Sequence, residues 1–461
     1  MLTFTTLCAT IRNKDNWFQW GDILKDTFAI ICGKLVYHLG KKFTPCSSLP
    51  GKIALNLERN LLKNIKKENN TIIFITGSNG KTSTTFYSYY AVKDLHNDVV
   101  SNLSGANMIQ GVLTEILKKT EKNNFSNKLC VFEVDELTLP LLIKNDLIPN
   151  YVVITNLFDD QVDRFGSKEI LAKTLRENLE KTDAKLIVNF DDPTLRIITD
   201  GIKNEVIYFG VQGEEKEVEK DNLIFKYLNY SSVGFFKTKD DDEFVDLKSY
   251  TLRECENKKY CEVLSKEKNF KFEIKNKEKF DNISNRYNYV TSFSLFMTLI
   301  KDGIVKCENP EEKILNAISL EVRNGRMEDF KFFGKSTKLN LVKNKVSLEL
   351  SLMEYAKETE KFDLVLALGN TPGDGKDMNW IAKVDFKNFV DNSMVDMIFI
   401  TGNAFEIVKE KLEMYLENNG LYEKFIFISK DEFKEKLSKK TMFLAGISEL
   451  NDMRNFLKNN N

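Results

Sequence analysis

The segment "IIFITGSNGKTSTT", residues 72–85, decides the fold. A run of apolar and β-branched residues stops at Gly77, and a helical, hydroxyl-rich stretch begins at Lys81. A strand that ends in a glycine turn and enters a helix carrying lysine and hydroxyls is a means of holding phosphate. Gly77 and Gly80 let the backbone turn closely around an anion, with Ser78 and Asn79 between them. The amides of Gly80, Lys81 and Thr82 can point at phosphate oxygens from the helix N-terminus. Lys81 adds a point charge, the Thr82 hydroxyl is placed to bind Mg²⁺, and Ser83 continues the polar first turn. The commonest phosphate loop has four residues between its first glycine and the Gly-Lys pair, whereas here only Ser78 and Asn79 intervene.

Outward from this loop, short apolar runs alternate with helical patterns. "TIIFIT" (71–76), "KLCVFEVDE" (128–136), "YVVITNLF" (151–158) and "AKLIVNFDDP" (184–193) read as strands of a parallel sheet covered on both faces. A second series, "DLVLALGN" (363–370), "MVDMIFITGN" (394–403), "KFIFIS" (424–429) and "TMFLAGI" (441–447), predicts another α/β domain. Between them, residues 210–282 are rich in Lys, Glu and Asp with short aromatic alternations, which predicts a small inserted subdomain of antiparallel strands. "NRYNYVTSFSLFMTLI" (285–300) returns to helical period. The expected organisation is a helical extension over 1–50, a central domain over 51–330 and a C-terminal domain over 335–456.

Composition narrows the function classes. At 461 residues, 42% hydrophobic and 29% charged, the chain reads as a soluble globular protein of two or three domains. A net charge of −1 gives no argument for a nucleic-acid partner. The seven cysteines form no paired framework, so reduced thiols are expected, with a cytoplasmic location. Only Cys255 and Cys261 lie close together, and two sulfurs cannot complete a tetrahedral zinc site, so no zinc is expected. No stretch approaches the ~20 apolar residues of a membrane span. "DTFAIICGKLVYHLG" (26–40), flanked by Lys34, Lys41 and Lys42, is expected to pack on its own protein, with peripheral membrane contact as the alternative. Neither His38 nor His96 sits in a catalytic context, so a histidine base, if the reaction needs one, comes from another chain.

Two further loops carry acids. Glu133 and Asp135 leave the end of "CVFEVDE", where a parallel sheet presents its ligand side. They can serve Mg²⁺ as hard oxygen ligands or stand as solvated turn residues. "GDGKDMNW" (373–380) places Asp374 and Asp377 in a glycine turn beside Trp380, and an Asx-type loop is the plainer reading.

The short loop resembles that of the Mur ligase superfamily, which activates carboxylates with ATP for attack by an amine. "SGANMIQG" (104–111), "FEVDE" (132–136), "TNLFDDQVDRFG" (155–166), "NFDDP" (189–193), "NRYN" (285–288) and "NGRME" (324–328), with "GDGKDMNWIAKVDF" (373–386) and "FITGNAFE" (399–406), are similar to the MurT family in particular. Those proteins are the ligase-like subunits of lipid II isoglutaminyl synthase. The resemblance runs from about Cys32 to the C-terminus. It implies a phosphate-loop central sheet domain, an insertion and an α/β C-terminal domain. It further implies that Gly77–Ser83 and Lys81 hold ATP phosphates, that Thr82 and Glu133 bind Mg²⁺, that Asn285 and Asn288 lie near the adenine, and that Arg326 reaches the γ-phosphate. Asp377 would complete the catalytic triad of a GatD-type glutamine amidotransferase subunit in a heterodimer. The implied reaction is amidation of the α-carboxylate of D-glutamate in lipid II, through an acyl phosphate.

The chain departs from the family in lacking a four-cysteine zinc ribbon, in Lys345 and "AGISEL" (445–450) of the C-terminal domain, and in Ser284. Two other readings stay open: a stand-alone amide ligase that adds an amino acid, and a non-catalytic ATP-binding scaffold.

Overall fold

The computed structural model describes residues 14–42, 46–158, 167–212, 249–254, 260–273, 280, 282–322, 327–371, 374, 378–430, 432, 436–437 and 440–460. The chain forms two compact units, Met1–Leu157 with Leu171–Leu320, and Phe158–Ile170 with Glu321–Asn461.

The first unit is built on a nine-stranded sheet. Its strands are β1 (Thr71–Thr76), β2 (Val99–Ser101), β3 (Leu129–Glu133), β4 (Tyr151–Ile154), β5 (Lys185–Asn189), β6 (Val206–Val211), β7 (Tyr250–Glu254), β8 (Tyr260–Ser265) and β9 (Phe270–Glu273), in the order β2-β3-β1-β4-β5-β6-β7-β8-β9. β1 lies parallel between β3 and β4, with Phe74 paired to Phe132 on one side and to Val152 on the other. β1, β3 and β4 are almost wholly buried, which is why they read as unbroken apolar runs rather than as alternations.

The predicted strands all form, and the sequence between Ile53 and Lys67 divides into two helices, Leu49–Leu57 and Leu61–Asn64. The strands expected in an inserted subdomain are antiparallel in β7, β8 and β9, but they extend the central sheet: β7 runs parallel to β6, with Phe209 opposite Tyr250. Side-chain packing accounts for this. Phe270 and Phe272 alternate inward along β9 and meet Phe293 of helix Ile283–Lys301, at centroid distances of 5.0 and 5.7 Å, while Tyr250 meets the same ring at 5.7 Å. One buried helix therefore covers both the parallel strands and their antiparallel continuation. Most of the acidic and basic stretch before β7, and Cys255, lie outside the described residues.

The second unit has a six-stranded sheet of β10 (Glu328–Phe332), β11 (Lys335–Leu341), β12 (Phe362–Ala367), β13 (Val395–Thr401), β14 (Phe425–Phe427) and β15 (Thr441–Ala445), ordered β10-β11-β15-β12-β13-β14. Only the β10–β11 hairpin is antiparallel. Successive side chains of β12 enter opposite faces: Phe362, Leu364 and Leu366 join one core, and Val365 and Ala367 the other. After β12 the chain moves to β13, whereas after β15 helix Leu450–Asn459 returns over β10 and β11. The connections after the adjacent strands β12 and β15 thus lead to opposite sides of the strand order.

Candidate functional site

The first unit has a similar divergence. β1 leads through helix Lys81–Val92 to β2 on one side, and β4 leads to β5 on the other. The glycine loop sits between them. Gly77 and Gly80 have φ of +122° and +86°, a region side chains strain to reach. A Cβ on Gly77 would lie 2.3 Å from Thr155 Oγ1, and one on Gly80 would lie 2.5 Å from Asn288 Oδ1. Residues after β4 lock the loop in place. The Ser78 amide donates to Asn156 O at 2.9 Å and the Asn79 amide to Asn156 Oδ1 at 2.8 Å. Thr155 Oγ1 and Asn156 Nδ2 donate to Asn79 O, at 2.7 and 3.0 Å.

The helix that follows begins at an N-cap glycine, with no capping side chain. Its first intrahelical bond runs from the Thr84 amide to Gly80 O at 2.9 Å, so the amides before it face out of the helix end. A cradle that admits no Cβ, opening on uncapped amides at the positive end of a helix, fits phosphate oxygens. Thr82 lies half-buried in this first turn and Ser83 is buried.

Lys81 is buried, and its ammonium donates to the carbonyls of Gly77 and Ser78 and to Glu136 Oε1 at 3.2 Å. Burial by itself would lower the ammonium's pKa, but Glu136, Asp135 and Glu133 more than compensate and raise it, so Lys81 stays cationic. The carboxylates owe their positions to the end of β3. Glu133 is the last strand residue, held by Asn102: its amide donates to Asn102 Oδ1 and its carbonyl accepts from Asn102 Nδ2, both at 2.8 Å. Asn107 Nδ2 donates to Glu133 Oε1 at 3.0 Å, and the Asp135 amide donates to Asn107 O at 3.0 Å.

Among the described residues no group of three or more His, Cys, Asp or Glu side chains is arranged to enclose a metal. Mg²⁺ does not require one, because it keeps waters and phosphate oxygens alongside one or two protein ligands. The hard oxygens of Glu133 and Thr82 suit such a partial set.

Of the residues singled out in the sequence, the structure brings together the Gly77–Ser83 loop and helix turn, Lys81, Glu133 and Asn288. Asn288 is buried in helix Ile283–Lys301, within reach of Thr84 Oγ1 at 3.5 Å. Asn285 lies one turn earlier in that helix, where the Asn282 side chain caps its amide at 3.2 Å. Arg326 and Asp377 lie outside the described residues. Glu136, Thr155 and Asn156 were not singled out, although "FEVDE" and "TNLFDD" contain them. Periodicity marks a strand end, but it cannot say which of several adjacent acids turns back onto a lysine.

In the second unit, Asp374 proves to be a tie within the loop after β12. Its Oδ2 accepts from the Thr371 amide at 3.2 Å and from Thr371 Oγ1 at 2.6 Å, and its Oδ1 accepts from the Ser448 amide at 3.1 Å. It pins the β12 loop to the β15 loop. Trp380 packs half-buried against the same core.

Comparison with known proteins agrees with both sheets. The Mur ligase middle domain model matches residues 75–257, and the MurT ligase C-terminal model matches residues 341–443. The MurT subunit of lipid II isoglutaminyl synthase (glutamine-hydrolyzing) from Staphylococcus aureus strain COL is 27% identical over 427 residues, covering 86% of this chain and 88% of that protein. Its Streptococcus pneumoniae counterpart is 28% identical over 387 residues, covering 80% and 82%. Among solved structures, MurF ligase from Thermotoga maritima in complex with ADP shares the fold, with a TM-score of 0.58 at 15% identity over 88% of this chain and 84% of that one.

Proposed function

The chain belongs to the MurT family of Mur ligases, and on that premise we propose that it amidates the α-carboxylate of D-glutamate in the lipid II stem peptide, using ATP and ammonia from a glutaminase subunit. Its membership makes it an ATP-dependent amide ligase of peptidoglycan synthesis. The ATP-dependent step is supported by the buried Lys81 ammonium, paired with Glu136 at an uncapped, glycine-led helix N-terminus, and the glutamine-dependent step by the match to the MurT ligase C-terminal model and the similarity to MurT subunits.

A carboxylate is a poor electrophile at neutral pH. Transfer of the γ-phosphoryl group to it gives an acyl phosphate, whose phosphate leaves readily when ammonia attacks the carbonyl carbon. Lys81 and the amides after Gly80 offset the charge that builds on the transferring oxygens. Mg²⁺, held by Glu133 and Thr82, would supply further neutralisation there. Asn107 orients the Glu133 carboxylate, and Asn156 fixes the loop so that its amides need no rearrangement on binding. Asn288, pressed against Gly80, shapes the nucleoside side of the loop together with Asn285, and Arg326 serves the γ-phosphate.

Ammonia comes from a GatD-type partner whose cysteine and histidine are completed by Asp377. An aspartate bonded to that histidine would fix its tautomer and stabilise the imidazolium. The chain's own two histidines leave that role to a second subunit.

The test is co-expression with a Cys/His glutaminase and an assay of glutamine- and ATP-dependent amidation of lipid II. Asp377→Asn is expected to lose glutamine-dependent activity and to recover in part with free ammonia, whereas Lys81→Ala recovers with neither. Full activity without any second subunit would replace this reading with a stand-alone ligase. Nucleotide binding without turnover in any combination would leave only a scaffold.

A further inference from the structure

We propose that the outward face of helix Lys14–Gly40 docks on an anionic lipid surface. The inward face of this helix is accounted for. Ala29 and Ile30 are buried, Asp26 accepts from Asn64 Nδ2 at 2.9 Å, and Gly33 lies so close to its neighbours that a Cβ would sit 2.8 Å from Leu117 and 3.2 Å from Pro50 O. The outward face is different. Leu24, Phe28, Ile31, Leu35 and Leu39 are each 55–65% exposed. Their spacings of four, three, four and four residues keep them on one stripe, about 22 Å long at the rise of an α-helix. Leu49, next to this helix in the chain, is also exposed.

Charge decides what covers the stripe. Between Leu24 and Lys42 the basic side chains are Lys25, Lys34, Lys41 and Lys42, and the one acid is the buried Asp26. On a helical wheel Lys25 and Lys34 fall on opposite flanks of the stripe, and Lys41 and Lys42 close its C-terminal end. Lys34 is anchored to Thr120 O, while Lys25, Lys41 and Lys42 are exposed. A second copy of this chain laid along the stripe would bring like charges together, an arrangement that disfavours pairing. A surface of anionic headgroups over acyl chains takes both the apolar stripe and its cationic border. No helix among the described residues is long and apolar enough to cross a membrane, so this helix would lie on the surface rather than span it. The docking stands on this helix alone, and its use for reaching a lipid-borne acceptor rests on the function proposed above.

The experiment is co-sedimentation of the full chain, alone and with its glutaminase subunit, with phosphatidylglycerol–phosphatidylcholine vesicles and with pure phosphatidylcholine. Binding to the anionic vesicles, weakening as salt rises, is expected. Two separate variants, Phe28→Glu with Leu35→Glu, and Lys25→Glu with Lys41→Glu and Lys42→Glu, should each lower partitioning by ~100-fold. Both should retain nucleotide binding and amidation of a soluble stem-peptide acceptor, so a failure of the docking and a failure of the proposed reaction give different results. Partitioning no greater than on phosphatidylcholine, or indifferent to both variants, overturns the proposal. So does a dimer in sedimentation velocity that Phe28→Glu with Leu35→Glu abolishes, which would assign the face to a second copy. Loss of vesicle binding when the glutaminase subunit is added would assign it to that subunit.

Discussion

The two units each place a glycine-containing loop after a central parallel strand, and the loops use their backbone amides in opposite ways. After β1, Gly77–Gly80 turn tightly and leave the helix end with no capping side chain. After β12, the loop draws in a carboxylate of its own, and Asp374 takes the amides of Thr371 and Ser448. One loop is built to receive an anion, and the other has already bound one that is covalently part of it. Glycine after a strand is thus ambiguous until the amides are traced to their acceptors.

The largest expected effect comes from removing the charge of the receiving loop. Lys81→Ala should cut ATP-dependent amidation by ~10³-fold, read as initial rate, because the ammonium faces charge that develops in the transition state. Lys81→Met, which keeps the stem, separates this loss from any disturbance of packing around Glu136.

Next is the backbone of the same loop. Gly80→Ala combines a positive φ, costing about 1–2 kcal/mol, with a Cβ pressed into Asn288. Nucleotide affinity should fall by ~10-fold or more in a calorimetric titration. An unchanged affinity would mean that the loop does not receive the phosphate.

In the self-filled loop the prediction reverses. Asp374→Ala should lower the stability of the second unit by ~2–3 kcal/mol through the loss of its bonds to Thr371 and Ser448, seen as an earlier thermal transition. Nucleotide affinity should not move. If it did, the two loops would not be independent in the way their hydrogen bonds suggest.

The smallest effect concerns pH. The Lys81 pKa is raised in the folded protein, so the stabilisation from its ion pair is fully present below the ordinary lysine pKa of 10.5 and is lost only as pH climbs through the raised value. Nucleotide affinity measured from neutrality to about pH 9 should show no lysine-linked decline. A midpoint inside that window would show that burial, not the three carboxylates, sets the charge.

The parts of the molecule legible in the sequence are those where burial is nearly complete. β1, β3, β4, β5 and β12 are built around short apolar runs because both faces of each are covered. β2 is three residues long, β10 is an edge strand of mixed acids, lysine and phenylalanine, and β11 carries lysines and polar residues, so neither length nor period distinguishes them from loop. The join between β6 and β7 was not legible at all, since it depends on Phe293 meeting rings that lie tens of residues before it. At the site, the glycine–lysine loop could be read directly, because local backbone geometry requires those residues in that order. Its supports could not: Asn156 and Glu136 follow the ends of β4 and β3 and Asn107 precedes helix Ile109–Lys119, and their roles exist only once these elements are aligned around β1.

The ring of acids around Lys81 has a thermodynamic consequence. One ammonium faces Glu133, Asp135 and Glu136, so a polyphosphate entering the loop meets helix amides but also like charge. On the function proposed above, a divalent cation would meet the converse, attraction from those carboxylates and repulsion from the ammonium. Each guest would remove the other's penalty, and the two affinities would be linked. By reciprocity, the factor by which the cation tightens nucleotide binding is the factor by which nucleotide tightens the cation. On the function proposed above, such a site would discriminate against either guest alone and fill as a unit, so that the concentration of the complexed nucleotide, rather than of either component, would be the quantity to which the chain responds.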